Sequence, residues 1–466
     1  MLRQSLPLAI LLGIMVAAAT SSAANYTTHP TLRVTTTDSG FTVGSGINAG
    51  DTEDVWTNAN SGIDVSIPWA SVRITGPSGF QLDTYLDATG ELNWSSSHTG
   101  AVFTISLYSR TQSASNNVLR MHNASNTISS IGPGSLYSTS ITNWNPATQP
   151  NPAFNPGLAR WTAFAAAAYA FNRFENVTSY WENMLLNVGV PTTSCPGASA
   201  HWCILPDCSH DRITQGVAYI VIPDCTGSAQ TKNKFVIAHE VGHVIAALFY
   251  GTSLAAVDGW EPAFVMTHND ACTGNSQCTP HSCQSGRCGG SPNSCTDVAN
   301  SYAMGTKEWN ALGFREGYAH FLSAVVWNHK DDTGESGWAG EGVFRWFNGV
   351  TYDLDRQNND PIAIEGISGG RMENVCCTSG CGVSWDGAGT NEDWMRHLWD
   401  FWHSTGCSPD PNFFTMLNIY RETRLNGGLA YNNYWSKSTA AVAEMYPICL
   451  QDDWDLYGWG NGVSHE

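Results

Sequence analysis

Apolar and polar residues alternate, strictly or nearly so, in four short runs of the first third of the chain, at 72–75, 84–86, 91–94 and 102–108. Gly-Pro, Ser-Gly and Thr-Gly pairs separate these runs. The pattern predicts half-buried strands joined by turns, hence an all-β region over about residues 25–142. The period then changes. Ala163, Ala167, Ala170 and Phe174 recur at the spacing of one helix face, which predicts a packed helix over residues 158–176. Between the two regions, 143–157 carries prolines at 146, 150, 152 and 156 and is excluded as helix or central strand. A linker and a domain boundary are expected there. Further on, 216–222 reads as a buried strand that stops at Pro223, and 235–248 reads as an apolar helix.

That last helix holds the chemistry. His239, Glu240 and His243 spell His-Glu-x-x-His. Four residues is just over one turn, so the two imidazoles leave one face of the helix about 5–6 Å apart at Cβ and can share a metal ion. Glu240 flanks that position as a general base, able to take the proton of a zinc-bound water whose pKa is lowered to about 7. Three ionisable groups in an apolar stretch are costly to bury without a partner, and a metal supplies one. Gly242 costs the helix about 1 kcal/mol relative to Ala, which predicts a close neighbour at that point.

The motif resembles that of zincin metallopeptidases. The metzincin continuation is excluded, because Ala246 stands at its glycine position and Phe249 at its third histidine. The gluzincin branch takes a glutamate from a second helix, and Glu316-Gly-Tyr-Ala319 is similar to its pattern. On a helix Glu316, Ala319, His320, Ser323 and Trp327 share a face. The resemblance implies zinc on His239, His243 and Glu316 with Glu240 as base. The residues alone leave other readings open. Glu316 is otherwise an exposed glutamate paired with Arg315 or Lys307, and Glu261 and His268 are rival third ligands. Pro262 disfavours helix at Glu261. The resemblance breaks at His320, where thermolysin-like members have an aspartate that orients a zinc histidine. It also implies an edge strand beside the cleft, a role that falls on 217–222. Tyr318, His320, His397 and His403 are candidate donors to an oxyanion, the last two in an aromatic helix that reads more readily as packed core. A shorter resemblance, over 83–94, is to the strand-turn-strand of transthyretin-like sandwich modules.

Composition places this chemistry. Residues 1–24 have the layout of a signal peptide, with an apolar run over 6–19 and small residues before a cut at Ala23 or Ala24. All 14 cysteines fall between Cys195 and Cys449, at spacings that suit disulfides better than structural zinc. A net charge of −19 argues against nucleic acid and anionic membranes as partners. No later run reaches the roughly 20 apolar residues of a membrane helix. The acidic stretch 353–360 lacks the glycine and closing glutamate of a calcium loop and reads as a solvated turn.

The expectation is an α+β protein: signal peptide 1–24, a small β-sandwich-like domain 25–142, a Pro-rich linker 143–157, and a zincin-like domain 158–466 with a mixed sheet, an active-site helix and a disulfide-rich insert at 268–297. Such a chain is a secreted zinc metallopeptidase acting on peptides or proteins. The alternative is a catalytically silent, zinc-containing surface-binding protein.

Overall fold

Alternation in the first third becomes strands with one buried edge of side chains. In β7 (Phe103–Gln112) Phe103, Ile105 and Leu107 are buried, while Tyr108, Arg110 and Gln112 are half-exposed. The structure is a computed structural model; it describes residues 23–34, 63–122, 136–175, 185–190, 201–203, 217–222, 233–250, 283–284, 287–288, 307–327, 343–345, 351–353, 388–404, 406–427, 434–461 and 463. The protein is mixed α/β, with several sheets and seven α-helices among the described residues, an arrangement compatible with α+β.

β1 (Ala24–Thr28) pairs antiparallel with β6 (Leu92–Ser96), and β2 (Thr31–Val34) pairs antiparallel with β3 (Ile63–Ser66). The largest sheet has eight strands. It adds β4 (Ala70–Thr75), β5 (Gln81–Tyr85), β8 (Val118–His122), β9 (Ser138–Trp144), β11 (Leu185–Gly189), β12 (His201–Cys203) and β13 (Val217–Val221) to β7, in the order β12-β13-β11-β8-β7-β4-β5, with β9 also on β7. β5 and β6 flank the turn of 83–94 yet join different sheets. Asp87 shapes that turn by accepting from the amides of Thr89 and Glu91, both at 2.8 Å.

The proline-rich segment 143–157 is built into the fold. Its β10 (Ala153–Phe154) pairs parallel with β2 at an edge of the smaller sheet. The carbonyls of Pro150 and Pro152 accept the amides of His29 and Thr31, which requires no N–H from the prolines themselves. The large sheet crosses the expected boundary, for β8 precedes the segment and β11 follows it, and the two pair in parallel. Parallel neighbours need a crossover, and α1 (Ala159–Glu175) lies within this one. Leu119 and Met121 of β8 align with Leu186 and Val188 of β11 on the buried face against which α1 packs.

One expectation is corrected here. The strand at 217–222 has β11 on one side and β12 on the other, so both of its ladders are taken and it is no edge. Among the described strands the edge of that end is β12, antiparallel to β13.

Five helices complete the site and its support after α2 (Lys234–Tyr250): α3 (Asn310–Trp327), α4 (Asn391–His403), α5 (Phe413–Gly427), α6 (Tyr434–Met445) and α7 (Ile448–Asn461). Trp394, Trp399 and Trp454 are wholly buried among them. A disulfide joins Cys407 to Cys449 at the start of α7. Cys283 stands opposite Cys288 in a two-residue ladder, the described part of the cysteine-rich insert. Residues 1–22, Glu261, His268 and 354–360 lie outside the described residues, as do nine of the cysteines. Among the described residues no helix is long and apolar enough to cross a membrane.

Candidate metal centre

α2 starts on a cap. Asn233 Oδ1 accepts from the amides of Phe235 and Val236 at 3.0 and 3.2 Å, satisfying two of the donors that open a helix. The helix then runs antiparallel to α3. Ser323 Oγ donates to the Phe235 carbonyl at 2.7 Å and the Trp327 indole to that of Lys234 at 3.2 Å, which locks the end of α3 to the start of α2. Where they cross most closely stands Gly242. A Cβ there would lie 3.1 Å from both the Ala319 carbonyl oxygen and Leu322 Cβ, so the missing side chain is what lets the helices touch.

This approach brings three predicted residues together. His243 Nε2 lies 3.0 Å from His239 Nε2 and 3.0 Å from Glu316 Oε2, and His239 Nε2 lies 3.3 Å from the same oxygen. His239, His243 and Glu316 are 3%, 4% and 6% exposed, so water does not compensate their charges. Donors bound at about 2.1 Å in a tetrahedral site stand about 3.4 Å apart, and three of them form one face with the fourth corner open. The observed triangle fits that face. A cation about 2.1 Å from each corner would sit about 1 Å off its plane. Two imidazole nitrogens and a carboxylate oxygen this close need a positive centre between them, a shared proton or a metal ion.

Glu316 is held by a residue the sequence reading assigned to a surface pair. Arg315 donates to Glu316 Oε1 from Nε at 3.1 Å and Nη2 at 2.8 Å, leaving Oε2 for the imidazoles. Successive residues on a helix do not normally face each other, so this pairing comes from the packing around Glu316 rather than from helix spacing. Glu316 is buried rather than exposed. Burial alone would raise its pKa, yet His243 and Arg315, with hydrogen bonds from both histidines, hold it well below the usual carboxylate range. Burial, with His243 beside it, pushes His239 down to about 4 and keeps it neutral, the form that binds metal. Glu240, 5% exposed, has its pKa raised well above the ordinary value by burial and then by Glu316.

His320 packs its ring on His239, with centroids 4.2 Å apart and planes at 29°. This stacked ring is wholly buried, and burial keeps it uncharged. The other three oxyanion candidates contact aromatic residues. Tyr318 packs on Tyr420 at 4.3 Å, His397 against Trp454 at 4.1 Å, and His403 Nδ1 lies 3.0 Å from the Trp399 carbonyl, all in the aromatic core. Cys407, Cys449 and Asp453 also cluster, but the two sulfurs are joined to each other. No protein-family model matches the chain, and no curated protein matches it.

Proposed function

We propose that the protein is a secreted zinc-dependent metallopeptidase with a zincin-like, gluzincin-type catalytic domain. The observation that carries this reading is the convergence of His239 Nε2, His243 Nε2 and Glu316 Oε2 within 3.3 Å of one another, with Glu240 one residue along the same buried helix. Two imidazoles and a carboxylate are a zinc donor set, and with three protein ligands one position stays open, as in catalytic rather than structural sites. Zinc held there lowers the pKa of water to about 7 and polarises a carbonyl.

The chain's own residues do the rest. Arg315 fixes one oxygen of Glu316 so that the other faces the histidines, and His320 sets the plane of His239. Glu240 takes a proton from the attacking water, holds it, and passes it to the leaving amine. The burial that raises its pKa increases its affinity for the proton it takes up.

Glu240→Gln keeps the shape and removes the base. Zinc should remain stoichiometric by elemental analysis while chelator-sensitive cleavage of casein is lost. A variant that still cleaves casein at most of the wild-type rate would remove Glu240 from its role. Zinc bound without any hydrolysis by the wild type would favour a binding protein.

A further inference from the structure

On the eight-stranded sheet, one charge arrangement has no acidic counterpart among the described residues. Arg110 of β7 stands directly opposite Arg120 of β8 in antiparallel register, and like charges so opposed destabilise a sheet. Both side chains are half-buried, on the face away from Leu119, Met121 and α1. The Arg110 guanidinium carbon lies 5.5 Å from the centre of the Tyr85 ring, and its Nη2 donates to Gln112 at 2.8 Å. Its Nε is buried and has no acceptor. Among the described residues no carboxylate lies within 4.0 Å of either guanidinium. Burial, and then the charge of Arg110, lowers the pKa of Arg120.

A second arginine on the same face shows what is missing. Arg73 sits over Tyr108 at 5.7 Å in the same manner, but Asp83 accepts its Nε–H. The chain has 40 Asp and Glu against 21 Lys and Arg, so a carboxylate is the ordinary neighbour of a cation here. At Arg110 and Arg120 two cations share one place with no carboxylate beside them among the described residues.

We propose that Arg110 and Arg120, backed by Tyr85, form a binding site for an oxyanion group, a carboxylate or a sulfate, on the outer face of the eight-stranded sheet. Guanidinium N–H forks match the paired oxygens of either group, and one anion between the two arginines would turn their repulsion into two charge-assisted contacts. The site is independent of the zinc reading, for it shares no residue with the centre on α2 and α3.

The test is thermal unfolding of the full chain titrated with sodium sulfate and, separately, sodium acetate, each against sodium chloride at matched ionic strength. General salting effects rise steadily with concentration, whereas a site adds a part that saturates. The wild type should show a saturable rise in Tm with at least one anion, and which one identifies the group. Arg120→Gln and Arg110→Gln should each lose that part, while Arg73→Gln keeps it because Arg73 is already paired. In chloride alone Arg120→Gln should melt no lower than wild type, since it relieves a like-charge pair. No saturable part in the wild type, or one that survives in both Arg110→Gln and Arg120→Gln, overturns the proposal. Should either variant melt too low to titrate, calorimetric titration of the wild type at 25 °C decides, with absence of saturable heat from both anions counting against the site.

Discussion

Gly242→Ala tests whether the close approach of α2 and α3 builds the metal centre. The added Cβ would meet the Ala319 carbonyl oxygen and Leu322 Cβ at 3.1 Å each. Ordinary carbon contacts lie at about 3.5–4.0 Å, so the helices must part by roughly 0.4 Å or Leu322 must move. Alanine gains about 1 kcal/mol over glycine in helix propensity, and overpacking costs about 1–3 kcal/mol, so the net effect on the zinc-free fold is between nothing and about 2 kcal/mol of destabilisation. The site is less tolerant. His243 is one residue from Gly242 and Glu316 three from Ala319, and ligand distances must hold within about 0.2 Å. A shift of about 0.4 Å should therefore weaken zinc by about 10-fold or more, within the range that supporting residues of metal sites show. Competition with a chromophoric chelator measures the affinity, and thermal unfolding of the zinc-free chain measures the fold. An alanine variant that melts higher than wild type and binds zinc unchanged would refute the reasoning, because the helices would then yield at no cost to the ligands.

Arg315→Gln should lower zinc affinity by about 10–100-fold while circular dichroism stays unchanged, since it frees Glu316 Oε1 without removing a ligand. Arg315→Lys restores only the charge and should recover part of the loss. Glu316→Ala should cost orders of magnitude in zinc content by elemental analysis, with Glu261→Ala and His268→Ala beside it retaining metal; the reverse pattern would move the third ligand. His397, walled in by tryptophans, is pushed down to about 3 by burial. The unfolded chain therefore takes up this proton near pH 6.5 and the folded chain does not, so stability is full above 6.5 and falls as the pH drops toward 3. By pH 5 the loss from this group is about 2 kcal/mol. His397→Leu should flatten that part of the slope in urea unfolding at pH 7 and 5; parallel slopes would place the proton elsewhere.

The amino-acid order alone determined the local parts. Alternation along β7 and the alanine face of α1 are recorded in neighbours two to four residues apart, the range over which a strand or helix chooses its buried side. His239 and His243 were legible for the same reason, since one turn of helix puts them together wherever the helix lies. Gly242 announced a close neighbour but not which one. What lay beyond reach was set by contacts between distant segments. That β8 pairs with β11 across a proline-rich stretch, that β12 rather than β13 forms the edge, and that α3 lies antiparallel on α2 all depend on which surfaces bury each other. Glu316 shows the division most plainly. Its helix and face were readable, but the sequence separation of 73 from His243 carries no distance, and only the packed pair of helices sets Oε2 at 3.0 Å from the imidazole. From sequence Arg315 reads only as a partner of an exposed Glu316; in the structure it holds a buried one. The carboxylate of Glu316 is the buried group, and a charge taken out of water between helices needs a partner, which its neighbour's guanidinium supplies.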